Sequence, residues 1–190
     1  MASAGMRGVG TALPGLMLIQ PVVHGDARGF FLESYREDRL AELGVRERWL
    51  QDNHARSGRG VLRGMHFALP PGQAKLVRCV RGAIVDVCVD IRRGSPTYGR
   101  WEAVELDDVV HRMLYVPVGF AHGYCVVSEV ADVTYKCSHP YDPALEREFS
   151  PFDAGVGIAW PDLPRIVSAR DREAPLLADI AAGLPFVFAG

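Results

Sequence analysis

The stretch Ala83-Ile84-Val85-Asp86-Val87-Cys88-Val89-Asp90-Ile91 decides the fold of this chain. Side chains in an extended strand alternate between two faces, so the odd-numbered residues from Val85 to Ile91 share one apolar face. The opposite face carries Asp86, Cys88 and Asp90, a semi-polar surface unlike that of a plain sandwich core. The pattern therefore predicts a strand that buries one face and uses the other for polar contacts.

Short apolar runs of this kind recur along the chain between clusters of Gly, Pro, Asp and Ser, which is typical of strands joined by turns. Three further strands are predicted, at 114–118, 123–127 and 130–137. Helices are predicted only at the margins, from residue 36 or 37 to Leu43 with Gly44 as its C-terminal cap, and near 174–182. These elements predict an all-β fold, a jelly-roll sandwich or barrel with a few short peripheral helices, in one domain spanning residues 1–190.

The gross composition limits the classes of function. The chain has 190 residues, 48% of them hydrophobic and 23% charged, which is typical of a globular protein. Its net charge of -2 argues against a nucleic-acid partner, because such proteins normally present a basic surface. The apolar piece at 13–19 is interrupted by Pro14 and Gly15 and is far too short to span a membrane, so no membrane partner is expected.

The four cysteines, Cys79, Cys88, Cys125 and Cys137, never approach Cys-x-x-Cys spacing. Most of them lie inside apolar runs, where a free cysteine behaves as a small hydrophobic residue. A disulfide framework is typical of shorter chains with denser cysteines. We therefore expect buried, reduced thiols and a cytoplasmic location.

One region concentrates polar side chains that a β core would not accept without partners. It contains Gln51 and Asn53, then Arg63 and His66, and then Lys75. Burying such groups unpaired is costly, so their clustering predicts a binding pocket. Two amides, two cations and an imidazole suit an anionic small molecule that carries a carbonyl group.

His66 is the central candidate, and it is either a satisfied core residue or a base near neutral pH. Nearby Arg63 and Lys75 favour the base, because neighbouring cations lower the proton affinity of an imidazole. An odd spacing places Arg63 and His66 on opposite faces of a regular strand. Gly64 lies between them and marks the point where a bulge can redirect one side chain.

A metal is the rival role for His66. The segment Pro117-Val118-Gly119-Phe120-Ala121-His122 has the Pro-x-Gly-x-x-His form seen in metal-binding barrels, but Ala68 stands where a His-x-His pair would need its second histidine. Two histidines make a poor ligand set where three or four protein ligands are usual. The sequence therefore predicts no metal.

Four further residues each have two interpretations. Tyr135 either fills core volume or donates a proton opposite the base. Tyr141, on a proline-framed loop, either plugs a surface gap or stacks on a planar base. Arg28 either ends a solvated hairpin or binds phosphate. Asp171 either caps a helix or is the carboxylate that fixes the ring tautomer of His66.

With these residues assembled, the chain resembles the dTDP-4-dehydrorhamnose 3,5-epimerase family of the cupin superfamily, from about Pro21 to Pro175. The motifs that carry the resemblance are Asp26-x-Arg28-Gly29-x-Phe31-x-Glu33, Gln51-x-Asn53, Leu62-Arg63-Gly64-Met65-His66, Gln73-Ala74-Lys75, Gly119-Phe120-Ala121-His122-Gly123, Tyr135-Lys136-Cys137, Tyr141-x-Pro143-x-x-Glu146, Gly157-Ile158-x-Trp160-Pro161 and Ser168-x-x-Asp171. Their order and spacing make the combination specific. The chain departs from the family at His24, where many members carry an aromatic hydrocarbon side chain.

The resemblance implies an isomerase that converts dTDP-4-dehydro-6-deoxy-D-glucose to dTDP-4-dehydro-L-rhamnose without cofactor or metal. It implies His66 as the base, Asp171 as the residue that orients it, and Tyr135 as the acid on the opposite face of the sugar. It also implies Tyr141 as the ring that stacks on thymine. The implied nucleotide-sugar contacts are Arg28, Glu33, Gln51, Asn53, Arg63, Lys75, His122, Glu146 and Arg170.

The resemblance has two further implications, one for the oligomeric state and one for the number of carbons inverted. Family members are homodimers in which an N-terminal strand joins the neighbour's sheet, so Arg28 and Glu33 are expected to serve the partner's site. Close relatives in antibiotic-sugar pathways invert only C3 or only C5. Tyr135 matches both groups, so a single-centre epimerase is the alternative function.

Overall fold

A computed structural model of the chain describes residues 5–189, and strands dominate it. The strands are β1 (Arg7–Gly10), β2 (Met17–Gln20), β3 (Val23–Asp26), β4 (Gly29–Leu32), β5 (Gln51–Gly58), β6 (Val61–Ala68), β7 (Lys75–Arg81), β8 (Ala83–Asp90), β9 (Trp101–Asp107), β10 (Met113–Val116), β11 (Phe120–Val126), β12 (Val130–Cys137), β13 (Glu146–Glu148) and β14 (Ile166–Val167). The helices are α1 (Glu37–Glu42), α2 (Ala169–Arg172) and α3 (Leu177–Ile180), followed by a 3₁₀ turn over Ala181–Gly183. The prediction of an all-β fold with short peripheral helices is confirmed.

The strands form two main sheets and one separate hairpin. The first sheet has the strand order β1-β2-β10-β7-β12-β5. The second has the order β13-β6-β11-β8-β9, with β14 pairing in parallel with β6. The third unit is the hairpin β3–β4, which pairs with neither main sheet. Neighbours in the strand order are often distant in sequence, as expected of a jelly roll.

Strand β8 behaves as its alternation predicts. Val87, Val89 and Ile91 pack in an apolar cluster with Phe149 and Trp160 of the C-terminal segment. On the other face, the buried carboxylate of Asp86 pairs with His122, and Asp90 accepts hydrogen bonds from Arg92, Ser95 and Thr97. The semi-polar face therefore has its partners, as a buried polar group requires.

Three apolar clusters build the molecule around the space between the sheets. One fills that space with residues such as Val77, Cys88 and Val133. A second lies under the C-terminal segment, and a third lies where α1 places Leu40 against the first sheet. The interior cluster occupies one part of the sandwich and leaves room between the sheets for a cavity.

The predicted ends of the strands and helices are close to those observed, but not all of them match. Strand β12 and helix α1 match their predictions, and Gly44 follows α1 with φ of 91°. Strand β11 begins earlier than predicted, at Phe120, where its pairing with Asp90 of β8 starts. The predicted terminal helix near 174–182 is broken into α3 and the 3₁₀ turn.

The structure also bears on the predictions about the cysteines and about membrane-spanning segments. All four cysteines are free and buried, as expected. Between residues 5 and 189, no helix is long and apolar enough to cross a membrane.

Candidate active site

A cavity of about 280 Å³ opens between the two main sheets. The first sheet and the loop before it contribute Gln51, Asn53, Ala55, Gln73, Lys75 and Tyr135. The second sheet and its surroundings contribute Arg63, His66, His122, Gly123, Tyr124, Tyr141, Glu146 and Arg170. The polar residues that the sequence placed far apart along the chain therefore line one space.

An irregularity in β6 places Arg63 and His66 on the same cavity wall. In the strand register, His122 of β11 pairs with His66 of β6, and Tyr124 of β11 pairs with Arg63 of β6. Two residues separate the pairs in β11, but three separate them in β6. Strand β6 thus carries one extra residue, at Gly64, whose φ is 142°. The bulge predicted from Gly64 is present, and it removes the conflict of an odd spacing.

His66 forms a hydrogen-bonded pair with Asp171. The distance from His66 Nε2 to Asp171 Oδ1 is 2.7 Å, and the Asp171 side chain is only 5% exposed. Burial by itself raises the pKa of Asp171, but the hydrogen bond and charge of His66, together with hydrogen bonds from Gly64 and Ser168, outweigh burial and lower that pKa. Because the ionised carboxylate accepts the Nε2 proton, the neutral ring carries its lone pair on Nδ1 and can act there as a base.

The contacts of Asp171 bear on its two interpretations. Its carboxylate does not cap a helix, so that alternative is wrong. Ser168 is the N-terminal cap of α2, and its hydroxyl accepts a hydrogen bond from the backbone N–H of Asp171 at 3.0 Å. The cap therefore fixes the backbone of Asp171 and leaves its carboxylate directed at His66.

A second histidine–aspartate pair stands beside the first. His122 Nε2 lies 2.9 Å from both carboxylate oxygens of Asp86, and His122 is directly opposite His66 in the strand register. The side chain of His122 is 8% exposed, whereas that of His66 is 26% exposed. His66 is therefore the more accessible imidazole for a ligand in the cavity.

Tyr135 approaches the cavity from the opposite sheet to His66, because β12 belongs to the first sheet and β6 to the second. Burial raises the pKa of Tyr135 to about 12. The hydroxyl is therefore protonated at neutral pH and is available as a proton donor. An imidazole on one wall and a phenol on the other can reach the two faces of a ring bound between them.

The cavity also holds cations without carboxylate partners. Arg63 donates to the hydroxyl of Ser57 through Nε and Nη2, at 3.3 and 3.2 Å. Lys75 is 9% exposed. Among residues 5–189, neither of them forms an ion pair, whereas Arg170 pairs with Glu148. Two unneutralised cations in a partly buried cavity favour an anionic ligand.

Comparison with known proteins agrees with this geometry. A sequence profile described as dTDP-4-dehydrorhamnose 3,5-epimerase matches residues 10–179. The chain belongs to the dTDP-4-dehydrorhamnose 3,5-epimerase family. The family assignment confirms the resemblance read from the motifs.

Three relatives of this family member illustrate the range of the family. The dTDP-4-dehydrorhamnose 3-epimerase of Streptomyces niveus is 48% identical over 88% of this chain and 82% of its own length. The dTDP-4-dehydrorhamnose 3,5-epimerase of Salmonella typhimurium is 46% identical over 88% of this chain and 93% of its own. The crystal structure of a dTDP-6-deoxy-D-glucose-3,5-epimerase from Legionella pneumophila, in complex with dTDP-4-keto-L-rhamnose, matches with a TM-score of 0.94 at 41% identity, covering 97% of this chain and 100% of that one.

Two predicted contacts of this epimerase lie outside the cavity of its own chain. Arg28 and Glu33 are on and beside the hairpin β3–β4, where Arg28 pairs with Asp26 and is 90% exposed. Glu33 lies 3.5 Å from Arg36. The hairpin also exposes Phe30 and Phe31. Neither charge reaches the cavity within one chain.

Residues that the sequence did not single out also line the cavity. Gln73 anchors the rim by donating a hydrogen bond to the carbonyl of His139 at 2.7 Å. Tyr124 was missed because it sits in the apolar strand β11. Its phenol hydroxyl, a polar group in a strand whose residues are all buried, could have identified it from the sequence. Across residues 5–189, no group of three or more His, Cys, Asp or Glu side chains is placed to hold a metal ion.

Proposed function

We propose that this chain converts dTDP-4-dehydro-6-deoxy-D-glucose to dTDP-4-dehydro-L-rhamnose by inverting C3 and C5, without a cofactor. The observation that carries the proposal is the placement of His66 and Tyr135 on facing walls of one cavity. Inversion through a planar intermediate requires a base and an acid on opposite sides of the reacting carbon. The family assignment supports the same reaction.

The chemistry follows from the C4 ketone of the substrate. Protons on C3 and C5 both flank that ketone, so removing either gives an enolate whose charge rests on one oxygen. Nδ1 of His66 takes the proton, and Asp171 stabilises the imidazolium that forms. Lys75 or Arg63 stabilises the enolate oxygen as its charge develops. Tyr135 then returns a proton to the carbon from the other face. Exchange with solvent removes the proton from His66 and restores the one on Tyr135, so the enzyme gains and loses no proton overall.

The remaining contacts hold the nucleotide and the sugar. Tyr141 is 54% exposed at the rim, where its backbone N–H donates to Gln51 Oε1 at 2.8 Å, so its ring can stack on a thymine. Gln51 in turn donates to Asn53 at 2.9 Å. The other proposed contacts are Arg63, Lys75, His122, Glu146 and Arg170, which line the cavity.

A single-centre epimerase is the second candidate. The observation that favours it is the 48% identity with the Streptomyces niveus protein, which is named a 3-epimerase. A base and an acid on facing walls serve one inversion as well as two. The two candidates therefore differ only in how many carbons react.

The deciding experiment is solvent deuterium incorporation. The protein is incubated with dTDP-4-dehydro-6-deoxy-D-glucose in D₂O, and NMR measures the label at C3 and C5. Label at both carbons, with inversion, supports the double epimerase. Label at one carbon supports the single-centre enzyme, and no label contradicts both.

Two broader properties are part of the proposal. We infer a homodimer in which the hairpin β3–β4 of one protomer brings Arg28 and Glu33 to its partner's cavity, because both charges are remote from their own. We infer a cytoplasmic location, which the four free, buried cysteines support.

A further inference from the structure

Tyr124 carries a buried hydroxyl for which packing gives no reason. The residue is 4% exposed, and its ring lies in the interior cluster with Val77, Cys88 and Val126. Its hydroxyl forms no hydrogen bond of normal geometry with any of residues 5–189. A buried hydroxyl left unpaired destabilises a protein, and phenylalanine would fill the same volume without that cost. The oxygen therefore needs an explanation outside the core.

The position of the hydroxyl supplies one. Tyr124 lines the cavity and is directly opposite Arg63 in the strand register. Burial raises the pKa of Tyr124, while the Arg63 charge and weak hydrogen-bonding contacts with Ser57 and Arg63 lower it, so the hydroxyl lies near both groups without a well-formed hydrogen bond to either. Ser57 is itself buried, at 6% exposure.

The anchoring of Arg63 is incomplete. Two of its five N–H groups point at Ser57, at the long end of hydrogen-bond distances, and no carboxylate pairs with it in the described part of the chain. Neutral anchors leave the positive charge of the guanidinium available to an anionic ligand. A single hydroxyl, however, does not fix the orientation of its plane.

We propose that Tyr124 is a positioning residue for Arg63. Its oxygen accepts an N–H of the guanidinium when Arg63 engages the anionic substrate, so that Ser57 and Tyr124 together fix the plane of the guanidinium. This inference rests on the proposed function, because it assumes that Arg63 contacts the nucleotide sugar. It adds a residue that acts through Arg63 and touches no reacting atom.

The test is a double-mutant cycle between Tyr124 and Arg63. The variants are Tyr124→Phe, Arg63→Met and the double variant, and Tyr115→Phe is the matched control. Tyr115 is also a buried tyrosine, but its hydroxyl donates to Glu47 and it packs on the other side of the first sheet. The measurements are Tm, kcat/KM for dTDP-4-dehydro-6-deoxy-D-glucose, and the Kd of dTDP.

Tyr124→Phe is expected to lower kcat/KM about tenfold, the effect of one hydrogen bond to a charged group, with Tm unchanged or raised. Tyr115→Phe is expected to lower Tm and leave kcat/KM unchanged. Adding Tyr124→Phe to Arg63→Met is expected to cause no further loss, because the group that Tyr124 positions is already gone.

Two outcomes would overturn the inference. One is a Tyr124→Phe protein with kcat/KM within about twofold of wild type, well below the effect of such a hydrogen bond. The other is an equal loss from Tyr124→Phe in the wild-type and Arg63→Met backgrounds. Failure of the proposed function would look different, since the wild-type protein itself would then turn over no substrate.

Discussion

At the scale of single residues, neighbouring groups orient the two side chains to which we assign the proton transfers. Asp171 pairs with Nε2 of His66, so that in the neutral ring the lone pair lies on Nδ1, while burial raises the pKa of Tyr135 to about 12. In our proposal, His66 accepts a proton through Nδ1 and Tyr135 donates one through its hydroxyl.

Separate substitutions of His66 and Tyr135 should separate abstraction from inversion. His66→Ala is expected to slow deuterium exchange at both C3 and C5 by roughly 10²–10⁴-fold, the contribution of a positioned base. Tyr135→Phe keeps the ring volume, so exchange should continue in part with retained configuration. NMR of label and configuration distinguishes the two. Normal exchange in His66→Ala would move the role of base to another residue, with His122 the first candidate.

Replacing Asp171 with asparagine should affect both activity and acid stability. Asp171→Asn removes the charge that stabilises the imidazolium, so kcat is expected to fall by about 10²-fold or more. Because the pKa of Asp171 is lowered in the folded protein, its stabilising contribution is present above the ordinary value of 3.8 and is lost as pH falls through the lower folded-state value.

Urea unfolding of Asp171→Asn and wild type across pH 3 to 7 measures that contribution. The difference in stability between the two proteins should be largest near neutral pH and should shrink in acid. A difference that stays constant with pH would show that the carboxylate contributes nothing through its charge. Ser168→Ala is the companion variant, because it weakens the backbone support of Asp171 and keeps the carboxylate.

At this scale, the sequence showed which residue types were unusual but not which groups their side chains contact. Polar types in an apolar setting revealed Arg63, His66 and Lys75, because buried polar groups need partners. The same reasoning left Asp171 between two roles, since spacing along the chain says nothing about contact across more than a hundred residues. It missed Tyr124 because tyrosine is common in apolar strands.

At the scale of elements, the contact between β6 and β11 sets the geometry of the cavity. Gly64 and Gly123 face each other where the strand register shifts. A Cβ on Gly123 would lie 2.7 Å from the carbonyl oxygen of Arg63 and 2.8 Å from the sulfur of Met65. The two backbones approach so closely that neither position has room for a side chain. The position of Gly64 in the sequence was enough to predict the bulge. The sequence alone did not show that the facing position, Gly123, must also be glycine.

Gly123→Ala should therefore destabilise the protein and disturb the site together. The clash involves backbone atoms, so overpacking is expected to cost about 1–3 kcal/mol. It should also lower kcat/KM, because it displaces the strand that carries Arg63 and His66. Gly10→Ala is the matched control, since no described atom outside its two chain neighbours lies within 4 Å of its Cβ position. Urea unfolding and turnover measure both effects, and a Gly123→Ala protein that resembles Gly10→Ala would contradict the argument.

At the scale of the molecule, the fold could be predicted because its signals are local. Alternation in β8 and turn residues between short runs predicted the strands, and their number predicted a jelly roll. Strand order could not be predicted, since it depends on packing between distant segments such as β10 against β2 and β7. The role of Arg28 could not be decided either, because the contact between two chains that we propose for it would leave no trace in local periodicity.

The proposed reaction requires no metal, and chelation tests this for the whole protein. Enolate charge is stabilised by Lys75 or Arg63 in our proposal, so prolonged treatment with EDTA should leave turnover unchanged. Metal analysis before and after treatment provides the control. A stoichiometric transition metal whose removal abolishes turnover would contradict the proposed mechanism.

The proposed exchange of hairpins predicts complementation between two impaired proteins. Arg28→Ala is expected to weaken turnover because it removes a contact that each protomer supplies to its partner. His66→Asn removes the base of the protomer's own cavity. In a mixed dimer, the cavity of the Arg28→Ala protomer keeps His66 and receives an intact Arg28 from its partner. Unfolding and refolding the two proteins together should therefore restore turnover, whereas refolding each alone should not.

If Arg28 acted within its own chain, every cavity in the mixed dimer would lack either Arg28 or His66, and mixing would restore nothing. Sedimentation of the wild-type protein at micromolar concentration gives the second arm of the test. A monomer that turns over substrate at the full rate would contradict the exchange, because the exposed Arg28 and Phe31 of the hairpin would then have no cavity to enter. A dimer that complements would assign these residues to the partner's site.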